Sequence, residues 1–421
     1  MSFSICRHAG LFACLLTFTV WTPAANAKGQ PPQDVEAQQL SAIVYHALES
    51  NPEIQAAKAA VNAAQARLAG AGLPLNNPEL ELEAERTDIS TYTLGISQTI
   101  DWYNKQDAME QAVQAELNVA RTEVTALNLV KSAALLKAIG GIATHREITT
   151  LSRRRTGILE RFSQLAEQRH AAGDIPQVEL ELARLSLAEA VMLHAGTGSE
   201  LIQAKSDYFS LSGQTLNDNI RLPEQLPASL SSTLDEEALV RNHPQVQVAL
   251  LMAQASRQQI HAVDQERKAD PTFGLRAGRE ESENLLALTF SIPLQLRNNF
   301  QSSVNAAQAE ALAAEQEARQ TYRNLLIRLR SAREHYLLVA NAWSLWVSHG
   351  RSSLHQHIDL LEALWQAGEM STTDYLLQVQ QTLDTQIAGV RLQGDLWSTW
   401  IDWLGASGTL NAWLNKTSEE Q

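Results

Sequence analysis

The sequence contains only two cysteines, Cys6 and Cys14, and both lie close to its N-terminus. Disulfide bonds and thiol chemistry require cysteine in the folded chain. If the N-terminal segment is removed, the mature protein contains no cysteine. Its fold must then be held together by packing and hydrogen bonds alone.

The N-terminal segment has the layout of a secretory signal. Arg7 precedes an apolar run at 11–20, and a group of small residues ends at Ala27. An apolar core of about ten residues is too short to span a bilayer, and an A-x-A ending is typical of a cleavage site. We therefore predict that residues 1–27 are a signal peptide. A lipoprotein-type cut beside Cys14 is the weaker alternative, because it would fall inside the apolar run.

Basic residues are scarce relative to acidic ones. The chain has 33 lysines and arginines against 47 aspartates and glutamates, giving a formal net charge of −14. Nucleic-acid binding needs a basic surface that neutralises phosphates, so this composition argues against it. Beyond the signal, we find no apolar run of the about 20 residues that a transmembrane helix needs. Any membrane crossing is therefore expected to use strands.

Proline is missing from long stretches, which predicts long helices. None lies between Asp101 and Pro176, and apolar residues at 113–127 follow the 4-3 spacing of a coiled coil. A helix over 104–172 would be on the order of 100 Å long. The turn at 173–176 should end it and begin a returning helix.

The second half of the chain repeats this layout. A long helix is predicted at 299–367, followed by a turn at 368–371 and another returning helix. Breaks at Asn51–Pro52 and at Asn242–Pro244 also match each other, since proline suits the first turn of a new helix.

Two short stretches alternate between apolar and polar residues with the period of a β-strand. The first covers 78–101 and has a polar turn, and the second covers 271–294 and has a charged turn. Each predicts a two-stranded hairpin. The hairpin is therefore duplicated along with the helices.

The duplication predicts one elongated, mainly α unit with a small β part and two tandem repeats. The expected divisions are a first repeat at 28–212, a polar linker at 213–233, a second repeat at 234–405 and a C-terminal tail at 406–421.

The predicted strands have about eight to ten residues, close to the roughly 9 to 11 that cross a bilayer when tilted. Four strands cannot close a barrel, and lipid tolerates no open sheet edge. Known membrane barrels begin at about eight strands. This interpretation requires several copies to pool their strands. The alternative is a soluble sheet that covers a helical bundle.

Several short motifs follow one another along the mature chain. They are Asn51-Pro52-Glu53-Ile54, Leu73-Pro74, Asn77-Pro78-Glu79-Leu80, Ile96-Ser97-Gln98, Phe290-Ser291-Ile292-Pro293-Leu294 and two Ala-Gly-acidic turns. The order of these motifs and the duplication of the pattern resemble those of the TolC-like outer-membrane efflux family. The resemblance implies a homotrimer with a twelve-stranded barrel in a Gram-negative outer membrane and an α-helical tunnel in the periplasm. The implied partners are a periplasmic adaptor, an inner-membrane RND-type transporter and outer-membrane lipid.

The Asn-Pro-Glu-Leu and Ser-Ile-Pro-Leu runs resemble the heavy-metal efflux (CzcC-like) branch of that family most closely. Such relatives often carry Gly-Gly-Lys-Arg after the first return strand, where this chain has Tyr103, Asn104, Lys105 and Gln106. The resemblance implies heavy-metal cations as cargo. Drug export, type I protein secretion and a periplasmic coiled-coil adaptor are the alternatives.

The family's helical-hairpin tips carry over to both turns of this chain. The matching residues are Gly173, Asp174, Ile175, Gly368, Glu369 and Met370. The resemblance implies that they meet the adaptor. A plain helix-to-helix turn is the alternative, since it needs only glycine and a cap.

Glu81, Glu83 and Glu85 would line the barrel lumen if Leu80 and Leu82 face lipid. Copies in an oligomer would repeat these carboxylates as acidic rings, which favour cations over anions. The alternative is a solvated polar lumen without selectivity, as in porin-like barrels.

No nucleophile motif, phosphate loop or acid–base pair stands out, so we do not expect an enzyme. The closest histidines, His355 and His357, are spaced i, i+2 and point apart on a helix. With no paired histidine at i, i+4 and no cysteine in the mature chain, neither a metal site nor a cofactor is predicted.

Tryptophans occur at two informative places. Trp102 follows the first return strand and is a candidate interfacial anchor. Trp397, Trp400 and Trp403 follow helical spacing and predict a stripe that packs into a core.

Overall fold

The structure is a computed structural model. It describes residues 32–419 apart from 218–219, 221, 224–225, 228–229, 231–234 and 351–356. The predicted signal peptide at 1–27 and His355 lie outside the described residues, and the linker predicted at 213–233 is described only in part.

Helices make up most of the described chain. They are α1 (Pro32–Ser50), α2 (Pro52–Ala71), α3 (Lys105–Ala172), α4 (Gln177–Ser212), α5 (Glu236–Asn242), α6 (Pro244–Glu266), α7 (Gln301–His349), α8 (His357–Gln366), α9 (Thr372–Ser407) and α10 (Leu410–Glu419). The strands are β1 (Glu79–Arg86), β2 (Ser90–Thr99), β3 (Thr272–Glu280) and β4 (Glu283–Ser291).

The four strands form one antiparallel sheet in the order β1-β2-β3-β4. β2 and β3 join the two repeats, with Leu94 directly opposite Ala277. In the chain, α2 leads into β1 and β2 into α3, while α6 leads into β3 and β4 into α7. The helices pack in the same order, α2-α3-α6-α7, so the layer of strands continues as a layer of helices.

Farther from the sheet, α3 packs against α4 on one side and α9 on the other, and α9 packs against α7 and α8. The helix α3 has 68 residues. It packs against α2 and α6 near the sheet and against α4 and α9 farther away. By length and composition α3 could cross a membrane, contrary to our expectation that no such segment exists. Leu135, Leu136, Ile139 and Ile142 are buried against other helices, so its apolar residues serve packing in this fold.

The second long helix, expected at 299–367, is not continuous among the described residues. The structure ends α7 at His349 and begins α8 at His357. The ring of Trp346 occupies the space that a side chain would need at Gly350 and at Gly389 on α9. Packing of this ring, which the local pattern does not reveal, accompanies the end of α7.

A core at the middle of the molecule holds the tryptophan stripe. Trp397, Trp400 and Trp403 are buried, as predicted. The Trp397 Nε1–H donates to the carbonyl of Leu136 at 2.8 Å. A Cβ at Gly140 would lie 2.2 Å from the Trp397 ring, so Gly140 gives α9 its close approach to α3.

The tail expected at 406–421 contains the packed helix α10. Leu410 and Leu414 are fully buried in the middle core, and α10 contacts α1. Apolar burial therefore extends the packed structure to the last described helix.

Two equivalent caps reveal the duplication in atomic detail. Asn51 accepts backbone N–H groups in the first turn of α2, and its Nδ2 donates to the Leu211 carbonyl at 3.0 Å. His243 Nδ1 accepts the Gln245 N–H at 3.1 Å, and its Nε2 lies 2.9 Å from the Gly405 carbonyl. Each cap thus fastens a proline-headed helix to the end of its repeat's returning helix. Burial lowers the pKa of His243, which keeps the ring neutral for this role.

Candidate functional site

One face of the sheet is apolar and exposed. Its side chains are Leu80, Leu82, Tyr92, Leu94, Ile96, Phe273, Leu275, Leu286, Leu288 and Phe290. Leu82 is 78% exposed and Leu288 is 85% exposed. A soluble sheet would turn these residues to a core, but no described element covers them. An exposed apolar surface of this kind marks a contact with lipid or protein.

The opposite face of the sheet is polar. Glu81 and Glu83 lie there, on the side away from the leucines of β1, and Glu85 alternates onto the same side. Ser97 donates to Glu81 at 3.1 Å, and Thr93 donates to Glu83 at 3.3 Å. The three predicted carboxylates therefore share one face, and two of them are fixed by hydroxyl groups of β2.

Arg276 completes this polar face and was missed by the sequence analysis. Its Nη2 lies 2.8 Å from Glu81, and its Nη1 lies 3.2 Å from Glu83. The alternation of β3 already places Arg276 away from Leu275. The contact itself depends on the register between strands of different repeats, which no local pattern gives.

The sheet has two open edges. No strand among the described residues pairs with the outer side of β1 or of β4. Their backbone N–H and C=O groups can therefore pair with another chain, and exposed edges beside apolar side chains are prone to do so.

The far end of the helices carries two matching turns. Gly173 and Gly368 have φ of 83° and 79°, in the left-handed region that favours glycine. The N–H of each glycine, and of the acidic residue after it, donates to carbonyls in the last turn of the preceding helix. The same C-terminal cap is therefore built twice.

The six predicted tip residues divide into two groups. Gly173, Asp174, Gly368 and Glu369 are exposed. Ile175 is buried in the apolar cluster near the tips, and Met370 is partly buried against the same cluster. The exposed four can meet a partner, whereas the other two belong to the packed interior.

An aromatic cluster joins the two tips. Phe162 of the first repeat lies 4.5 Å from Trp365 and 4.8 Å from Tyr375 of the second, measured between ring centroids. The guanidinium of Arg169 lies 5.0 Å from the Trp365 centroid. Burial raises the pKa of Tyr375 to about 12, so its hydroxyl stays neutral.

In the described part of the chain, no three histidine, cysteine, aspartate or glutamate side chains are grouped so that they could hold a metal ion. His357 begins α8, and its predicted neighbour His355 is not described.

No protein-family model and no curated protein matches the sequence. Solved structures do match. CusC, studied for folding and transmembrane channel formation, aligns with a TM-score of 0.70 and 16% identity over 88% of this chain and 92% of its own. The Campylobacter jejuni CmeC outer membrane channel aligns with a TM-score of 0.74 and 15% identity, covering 90% and 89%.

The outer membrane protein VceC of Vibrio cholerae aligns with a TM-score of 0.68 and 20% identity, covering 88% of this chain and 96% of its own. These likenesses extend over nearly the whole of each chain. They confirm the fold class expected from the sequence, mainly α with a small β part.

Proposed function

We propose that this chain, which has the fold of TolC-like outer-membrane channels, is the exit duct of a tripartite efflux system and not an enzyme. It would lie in the outer membrane of a Gram-negative bacterium and extend into the periplasm. One observation carries the proposal: the sheet has an exposed apolar face and two open edges. A single chain can neither cover that face nor pair those edges.

If the open sheet edges pair between copies and close a barrel, lipid would cover the apolar face. The strands have 8 to 10 residues, close to the length that spans a bilayer when tilted. In a barrel, β4 of one copy would pair with β1 of the next, and no backbone group would face lipid unpaired. Two copies supply eight strands and three supply twelve. The resemblance to the TolC-like family implies three.

The position of Trp102 is consistent with a membrane boundary. Its side chain is exposed where β2 has ended and α3 has not yet begun. Tryptophan is enriched at membrane interfaces, because its ring is apolar and its N–H is polar. We therefore place the boundary between lipid and periplasm at this level.

The helices farther from the sheet supply a second contact between copies. On α4, which packs along α3 there, exposed apolar side chains are spaced seven residues apart: Val178, Leu185, Met192 and, farther along, Ile202 and Phe209. We call this the α4 stripe. On α7, Leu338 and Leu345 are also exposed and seven apart. Heptad spacing suits helix pairing, so α7 of a neighbouring copy would cover the α4 stripe.

Fractionation tests the proposal. The full chain should remain with the membrane after salt and carbonate washes, dissolve only in detergent, and have the mass of three copies by light scattering. A soluble periplasmic adaptor, the competing class, would wash off. A detergent-free, soluble monomer would overturn the duct.

Heavy-metal cations are the proposed cargo. The polar face of the sheet, with Glu81, Glu83 and Glu85, supports cations over anions in a closed barrel. Drugs and secreted proteins are the other candidates. A deletion strain challenged with metal salts and with drugs separates them, because only the exported class should become more toxic.

The exposed tips would meet a periplasmic adaptor, which links the duct to an inner-membrane transporter of the RND type. Gly173 with Asp174, and Gly368 with Glu369, provide two similar exposed turns per copy, one from each repeat. Crosslinking from Asp174→Cys should capture the adaptor, and Asp88→Cys in the turn between β1 and β2 is the matched control. Equal capture from both positions would contradict this placement.

A further inference from the structure

Arg276 lies on the same face of the sheet as the acidic side chains and reaches across a neighbouring strand. It starts on β3, passes over β2 and binds Glu81 and Glu83 on β1. Neighbouring strands are about 4.8 Å apart, so the side chain spans two strand spacings. An extended arginine has the length for this reach, and its forked guanidinium can bind two carboxylates at once.

Gly95 opens the path for this reach. The strand register places Glu81 opposite Gly95 and Gly95 opposite Arg276. A Cβ at Gly95 would lie 2.7 Å from the Arg276 Cγ, closer than such atoms approach in real structures. Any other residue at 95 would displace the arginine, so Gly95 and Arg276 form one arrangement.

The arrangement offsets part of the negative charge on this face. Glu81 and Glu83 share the guanidinium, whereas Glu79 and Glu85 are exposed toward the two ends of β1. We propose that Arg276, held over Gly95, limits the cation preference of the duct by offsetting Glu81 and Glu83 in the middle of the barrel. This inference rests on the proposed function.

Ion selectivity in a planar bilayer tests it. Purified wild-type protein, R276Q and R279Q are compared by their reversal potentials in a potassium chloride gradient. Arg279 is on the same strand but on the opposite, apolar face, so R279Q removes an equal charge outside the lumen. We expect R276Q to raise the potassium-over-chloride permeability ratio severalfold, since loss of a positive charge about 8 Å away in water lowers the energy of a cation and raises that of an anion by about RT each. R279Q should leave the ratio unchanged.

A double variant checks that the effect is one of charge. R276Q combined with E81Q removes one positive and one negative charge per copy and should return the ratio to the wild-type value. E81Q alone should lower it. If R276Q does not assemble, E81Q alone still tests the inference, because an unchanged ratio in E81Q would contradict it.

The proposed channel and the role of Arg276 can be refuted separately. If wild-type protein forms no conducting channel, the proposed function is wrong. If it conducts and R276Q has the reversal potential of R279Q, the duct stands and the role of Arg276 is refuted.

Discussion

The hydroxyl of Thr372 donates a hydrogen bond to the carboxylate of Glu179, and this contact joins the two helical tips across the repeats. The same hydroxyl accepts the Trp365 Nε1–H at 3.2 Å. One buried oxygen thus connects the returning helix of the first repeat, the aromatic cluster and the start of the second returning helix.

Thr372→Val should therefore loosen the tips. It keeps the shape of the side chain but leaves the buried Trp365 N–H without an acceptor, which costs about 1–3 kcal/mol. Hydrogen exchange should become faster at 361–376 and 158–180 and stay unchanged in the middle core. Thr385→Val on the same helix is the control, because the Thr385 hydroxyl only bonds the Gln381 carbonyl one turn earlier. Equal exchange in both variants would show that the link carries no stability.

Replacement of the tip glycines should show whether they form a plain turn or a docking surface for the adaptor. Asparagine tolerates the left-handed conformation, and a side chain at Gly173 or Gly368 meets no atom within 4 Å. G173N with G368N should therefore preserve the trimer but abolish efflux, as judged by growth under the exported compound.

The matched control for that experiment is Gly196→Ala. Gly196 lies inside α4 and is also open, but it is far from the tips in sequence. Full efflux in the G173N and G368N double variant would mean that the exposed glycines form turns and nothing more. Loss of the trimer would indicate a folding role instead.

The sequence predicts the parts of this fold that depend on local pattern. The proline-free, heptad-spaced stretch at 104–172 corresponds to α3, and period-two alternation locates all four strands. Alternation also assigns Leu82 and Glu83 to opposite faces. These features require no knowledge of what lies across the fold.

Contacts between the repeats could not be predicted in this way. Arg276 and Glu83 are 193 residues apart, and their contact exists only because β2 pairs with β3 in one register. Trp346, near the end of α7, packs against Gly389 of α9, a partner that its local sequence does not indicate. Ile175 is buried in an apolar cluster that includes side chains of the second repeat, such as Trp365.

The α4 stripe gives a prediction about assembly. Leu185→Gln with Met192→Gln should weaken the contact between copies, since each fully buried apolar side chain contributes about 1.5–3 kcal/mol. The double variant should dissociate at lower temperature in mild detergent, as followed by native electrophoresis. Leu377→Gln is the control, because Leu377 is exposed but lies on α9, which packs against α3, α7 and α8 of its own chain. An equal loss of oligomer in the control would rule out the α4 stripe as the interface.

The buried cap His243 should make stability depend on pH. Burial lowers its pKa below the usual value of 6.5, so as pH falls the unfolded chain takes up a proton before the folded chain does. Stability is therefore complete above about pH 6.5 and decreases below it, by at most about 1.4 kcal/mol per pH unit, until the lowered pKa is reached. His243→Asn copies the cap of Asn51, which accepts and donates in the same way without titrating. The thermal midpoint of the wild type should drop more between pH 7.5 and pH 5.5 than that of H243N, whereas H261Q, which removes an exposed histidine, should behave as the wild type. Parallel pH dependence in wild type and H243N would show that other groups control acid stability.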